Sequence, residues 1–158
     1  MGKEERIADL IERGGIYRNI NGKDPEEVLT ELIGSLPLFP SVPADTMLQA
    51  VLEREDLMPT GIGRGIAIPH PRNPVILPGA EQFAALAYLE NPVDWNSLDG
   101  EKVNTLLLLI TASAKQHLTA LSEINFLCRQ RDFLKLLRER AGLDELLAFI
   151  REMEKQWK

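Results

Sequence analysis

Hydrophobic residues recur at helical spacing in the first third of the chain, form short unbroken runs in the middle, and return to helical spacing in the last third. In residues 3–12, Ile7, Leu10 and Ile11 share one helical face, and Gly14-Gly15 supplies a stop. "IYRNI" (16–20) reads as a short strand. "DPEEVLTELI" then predicts a helix with Asp24 as N-cap, Pro25 at its first position and Glu27 at its third. Val28, Leu32 and Leu36 stripe it. "PLFPSVP" (37–43) breaks it with three prolines, and a further helix over roughly 44–55 carries Met47, Leu48, Val51 and Leu52.

The middle segments are too short and too apolar for amphipathic helices. "GIAI" (65–68), "FAALAYL" (83–89) and "VNTLLLLIT" (103–111) predict strands buried on both faces, with a tight turn at Asp99-Gly100. From Ser113 the pattern is helical again. Ser113 and Gln116 have capping-box spacing, and Leu118, Leu121, Ile124, Leu127 and Cys128 follow periodically. Two more helices, about 131–140 and 143–156, are divided by Gly142. Helices, then buried strands, then helices predict one α/β domain whose sheet is covered on both sides.

Composition narrows the function. A chain of 158 residues, 44% hydrophobic and 27% charged, has room for one real core. No apolar run reaches the roughly 18 residues of a membrane span, so direct membrane insertion is not expected. The N-terminus lacks the apolar stretch of a signal peptide, and a lone cysteine, Cys128, forms no internal disulfide. A reducing cytoplasm fits both. The net charge of −6 without any Lys/Arg-rich block argues against nucleic acid and for a protein or small-molecule partner.

Candidate chemistry gathers at the only two histidines. In "GIAIPHPRNP" (65–74), Pro69 and Pro71 bias their predecessors toward extended backbone, which keeps His70 out of any helix. His70 is expected at or just past the end of the "GIAI" strand, where α/β proteins place their sites. Gly61, Gly63 and Gly65 precede it, and their missing side chains allow another molecule's backbone to come close. His117 falls in the first turn of the helix capped by Ser113, on the face of Leu121, Ile124 and Cys128, so it points inward. A helix N-terminus disfavours imidazolium and favours an anion. Arg54 flanks the apolar stripe of its helix. Spacing alone does not choose between an anion clamp and a stem laid on the core.

Of the chemistries open to these residues, a metal site lacks convergent ligands and any HxxxH or CxxC spacing. A hydrolase lacks a nucleophile elbow. What remains is His70 as a nucleophile that takes a group onto a ring nitrogen and passes it on. Trp95, Trp157 and Cys128 read as packing groups.

"TGIGRGIAIPH" (60–70) resembles the active-site signature of the type-2 EIIA domains of the bacterial phosphoenolpyruvate-dependent phosphotransferase system, the fructose/mannitol/nitrogen-regulatory family. "LEREDL" before it, "LDGEKVNTLLLLI" after it and a histidine early in the next helix extend the likeness over residues 14–150. The resemblance implies a single α/β domain, a mixed sheet sandwiched between helices, over residues 14–158, with 1–13 as an N-terminal helical extension. It implies that His70 accepts a phosphoryl group through Nε2 from the histidine-containing phosphocarrier protein. The group is then given to an EIIB domain, or the protein acts as a nitrogen-type regulator whose phosphorylation state controls binding to target proteins. His117 and Arg54 match the family's second histidine and arginine, which with His70 make the catalytic set. No metal ion or other cofactor is required. One departure is Pro71, where the family has Gly; it stiffens the rim and bears on partner choice.

Overall fold

The computed structural model describes residues 5–37, 43–73 and 81–157. The start of the predicted first helix (3–4), most of the proline-rich break (38–42) and Pro74 lie outside the described residues. The elements in chain order are α1 (Ile7–Gly14), β1 (Ile16–Ile20), α2 (Pro25–Ser35), α3 (Ala44–Leu57), β2 (Gly61–Gly63), β3 (Ile66–Ala67), β4 (Phe83–Val93), β5 (Val103–Ile110), α4 (Ala114–Leu127), α5 (Arg131–Arg138) and α6 (Leu143–Glu154).

The strands form one mixed sheet in the order β1-β4-β5-β3-β2. β1 runs parallel to β4 and β3 parallel to β5, whereas β4–β5 and β2–β3 are antiparallel. Side chains alternate between the two faces of each strand. Leu107 and Leu109 of β5 therefore join α1, α4, α5 and α6 through Leu10, Ile124, Phe133 and Ile150. Leu106, Leu108 and Ile110 join α2 and α3 through Leu32, Met47 and Val51. The result is a single α/β domain, a mixed sheet between two helical layers. Each of these leucines is 0% exposed, and burying one contributes about 2 kcal/mol.

Local signals set most boundaries. Asp24 caps α2 by accepting from the Glu27 N–H (2.9 Å), and Pro25 opens it. The Glu27 side chain reaches back one residue further than a capping box requires, to the Lys23 N–H (2.8 Å). β4 outruns its prediction: past Tyr88 the pairing slips, then resumes at Val93 opposite Val103. The intervening Glu90-Asn91-Pro92 is exposed and reads locally as a turn. β2 was not predicted, because Gly-Ile-Gly has no strand propensity of its own. α1 lies within the core, with Ile7, Leu10 and Ile11 fully buried. Among the described residues no helix is long and apolar enough to cross a membrane.

Candidate active site

β3 and β5 are neighbours and point the same way, so both deliver their chain to one edge of the sheet. The ladder continues past β3, since the Leu109 N–H donates to the Pro69 carbonyl (2.9 Å). His70 follows at once. β5 ends at Ile110, and Ser113 turns the chain into α4 by accepting from the Gln116 N–H (3.1 Å). His117 then lies in the first turn. The two imidazoles meet with ring centroids 4.5 Å apart and planes tilted by 51°. Both are half-buried, while Pro69 and Pro71 on either side of His70 are buried and hold its backbone.

The protonation state of His70 follows from one contact. Nδ1 lies 2.7 Å from the Ile68 carbonyl oxygen. A carbonyl only accepts, so Nδ1 carries the proton and Nε2 keeps its lone pair. Burial lowers the His70 pKa to about 4; Arg54, and His117 when it is protonated, push in the same direction, whereas the Ile68 contact raises it. Burial and then Arg54 lower His117 as well. Both shifts favour neutral rings near neutral pH, with the Arg54 cation acting on each of them.

Arg54 stands in the last turn of α3, where a cation suits the helix dipole. Its Nη1 donates to the Met58 carbonyl (2.6 Å), closing that turn. The guanidinium is thus held at the helix end with its field on both imidazoles. His70, His117 and Arg54, far apart in sequence, share one site.

Other expectations need correction. The glycines do not leave room for another molecule. A Cβ on Gly61 would collide with the Ser97 hydroxyl, one on Gly63 would lie 2.9 Å from Asp99 Oδ2, and one on Gly65 3.2 Å from Asn104 Nδ2. Gly63 (φ +92°) and Gly65 (φ +81°) also need the left-handed region for the turn between β2 and β3. That turn lies at the opposite end of β3 from His70, roughly 15 Å away at strand rise. Its N–H groups do not line the imidazole pocket. Leu118, read as part of the apolar stripe, is 66% exposed beside His117. Gln116 does not complete a capping box: its amide pairs with the backbone of Glu5, donating to its carbonyl and accepting from its N–H, each at 2.9 Å.

Sequence reasoning passed over Glu55 and Thr60. The Glu55 carboxylate accepts from the Thr60 N–H and hydroxyl and from the Trp95 indole N–H. Both residues lie in stretches that carry the family resemblance, Glu55 in "LEREDL" and Thr60 at the head of "TGIGRGIAIPH", but neither has a role legible there. Trp95 and Cys128 are buried, and burial raises the Cys128 thiol to about 12, so it remains a protonated core group. Trp157 stacks edge-on against Phe126. Among the described residues no three His, Cys, Asp or Glu side chains are grouped to hold a metal ion.

Comparison with known proteins gives the family and the fold. The model of the family "Phosphoenolpyruvate-dependent sugar phosphotransferase system, EIIA 2" matches residues 9–153. A nitrogen regulatory protein of Bradyrhizobium diazoefficiens is 32% identical over 135 residues, covering 84% of this chain and 86% of that protein. The fructose-specific EIIABC component of the phosphotransferase system of Bacillus subtilis is 29% identical over 153 residues, 95% of this chain but 24% of that longer protein. In three dimensions, the nitrogen regulatory protein IIA-Ntr from Neisseria meningitidis superposes with a TM-score of 0.73 at 22% identity, covering 91% of this chain and 98% of its own. With the family match spanning nearly the whole chain, the protein is a member of the type-2 EIIA family of the phosphoenolpyruvate-dependent sugar phosphotransferase system.

Proposed function

We propose that His70 accepts a phosphoryl group on Nε2 from the phosphohistidine of the histidine-containing phosphocarrier protein and passes it to an EIIB domain. The observation that carries this reading is the Nδ1–H contact to Ile68, which leaves Nε2 as the nucleophile. The Nε2 lone pair attacks phosphorus as the donor's P–N bond breaks, and the electron pair of that bond stays on the donor imidazole. The His70 ring then carries positive charge, and its Nδ1–H, still donating to the Ile68 carbonyl oxygen, is stabilised by that contact. Arg54 and His117 face the phosphoryl oxygens. Positioning and charge stabilisation dominate such transfers, and the phosphohistidine donor is already activated, so the step needs no metal. Onward transfer reverses these events toward the EIIB acceptor.

Both partners are proteins, and the site's border suits them. Leu57, Met58 and Leu118 are 62%, 65% and 66% exposed on the elements that carry Arg54 and His117. The net charge of −6 complements a carrier with a positive docking face. Incubation with phosphoenolpyruvate, enzyme I and the phosphocarrier should label the chain with acid-labile, base-stable phosphate. A His70→Ala protein that still takes label defeats the proposal.

The similarity to nitrogen regulatory proteins favours a second reading, in which phosphorylation of His70 controls binding to target proteins. Chasing the labelled protein with EIIB domains separates the two. Rapid loss of label supports transport, and retained label with phosphorylation-dependent capture of a target supports regulation.

A further inference from the structure

Glu55 follows Arg54 in the last turn of α3. Its Oε2 accepts from the Thr60 backbone N–H (2.7 Å) and the Trp95 indole N–H (2.9 Å), and its Oε1 accepts from the Thr60 hydroxyl (2.7 Å). Trp95 is 1% exposed and Thr60 6%. The bonds are therefore made away from water, where a carboxylate without donors is costly. A negative side chain near a helix C-terminus also opposes the helix dipole. Local helix energetics gives Glu55 no reason to be acidic. Its partners do.

Those partners lead to the reacting ring. The Thr60 carbonyl accepts from the Ile68 N–H (3.0 Å), and the Ile68 carbonyl accepts from His70 Nδ1 (2.7 Å). In the other direction, Glu55 shares its turn with Arg54, whose Nη1 bonds to Met58 just beyond. One carboxylate thus ties the helix end that carries Arg54 to the strand whose end carries His70. We propose that Glu55 is a positioning residue for phosphoryl acceptance, fixing the Arg54 guanidinium relative to His70 through Thr60 and Ile68 without touching the reacting atoms. The inference rests on His70 being the phosphoryl acceptor.

A positioning role depends on the hydrogen bonds and not on the charge. Glu55→Gln keeps an acceptor oxygen for the two N–H donors, and its amide donates to the Thr60 hydroxyl, which accepts in turn. Glu55→Met keeps the length and loses all three bonds. Transfer from labelled phosphocarrier is measured for both variants with kcat and KM separated, and the His70 ring is followed by 15N NMR. In Glu55→Met, kcat should fall on the order of ten- to a hundredfold, the scale of an ångström's misplacement. KM should change little and the ring signals should shift. Glu55→Gln should restore most of the rate and the wild-type ring signals.

A Glu55→Met protein with wild-type kcat and unchanged ring signals overturns the proposal. So does a Glu55→Gln protein as slow as Glu55→Met, which assigns the effect to charge. If Glu55→Met fails to fold, Trp95→Phe and Thr60→Val each remove one donor, and unchanged kcat in both overturns it equally. A wild-type protein that takes no phosphoryl group defeats the phosphotransfer reading alone. The NMR comparison of the ring then still decides whether Glu55 positions it.

Discussion

The two ends of strand β3 are built for opposite purposes, although eleven consecutive residues, "TGIGRGIAIPH", supply both. At one end, Gly63, Arg64 and Gly65 all take positive φ, and the turn is closed by Asp99, which accepts from the Arg64 N–H (2.8 Å) and the Glu101 N–H (3.0 Å). There the Asp99 carboxylate is matched by backbone donors from within the chain. At the other end, Pro69 and Pro71 hold the backbone while the His70 ring stays half open, its Nε2 uncommitted by the Ile68 contact. Rigidity serves packing in the first case and chemistry in the second. A signature that looks uniform in sequence is a structural half and a reactive half joined by two residues of strand.

The sharpest test of that division is a pair of substitutions. His70→Ala should abolish phosphorylation by the phosphocarrier while the thermal transition stays cooperative, because the ring is only half-buried. Gly63→Ala should do the reverse. Its φ of +92° and the 2.9 Å approach to Asp99 Oδ2 make a Cβ strained, at a cost of about 1–3 kcal/mol in unfolding free energy. Phosphoryl transfer measured well below the melting temperature should survive. Denaturant midpoints and labelling rates on both variants check this. A Gly63→Ala protein of wild-type stability that no longer takes label would show that the turn reaches the chemistry after all.

The reactive end also predicts a pH signature that the turn does not share. With its pKa lowered from 6.5 to about 4, chiefly by burial, His70 should remain neutral in an NMR titration down to that value. Labelling by the phosphocarrier should then lose nothing to His70 protonation between pH 8 and 6. The linkage has a definite sign. Between pH 6.5 and about 4 the unfolded chain binds a proton that the folded ring refuses, so stability falls as pH drops through that window. Urea midpoints at pH 7 and 5 should differ less in His70→Ala than in the wild type. An equal difference in both proteins would place the ring in water.

Much of this arrangement was readable from residue order, and the reasons differ by region. The buried strands announced themselves because β4 and β5 are apolar on both faces, and His70 could be put at a strand end because two prolines leave it no helical option. His117 followed from the Ser113 cap. What stayed hidden were contacts between segments that periodicity cannot join. Gly61 to Gly65 read as open space because nothing local names Ser97, Asp99 or Asn104 as the atoms that fill it. Leu118 read as core because helical spacing does not say where the sheet ends. Glu55 sits inside "LEREDL", but nothing local gives it a role, since its three donors come from Thr60 and Trp95.

The smallest expected effect concerns the helix that brings the second imidazole. The Ser113 side chain caps the start of α4, and His117 stands one turn beyond it. Ser113→Ala removes that acceptor from the Gln116 N–H, which should cost about 1 kcal/mol of stability. Gln116 keeps its paired bonds to the Glu5 backbone, so the first turn should fray without leaving its place. The His117 ring should therefore stay against His70, with the labelling rate reduced only slightly and the denaturant midpoint lowered. A large loss of labelling in Ser113→Ala, at unchanged stability, would mean that the cap sets the His117 orientation itself. Both ends of the site would then be held as tightly as the glycine turn.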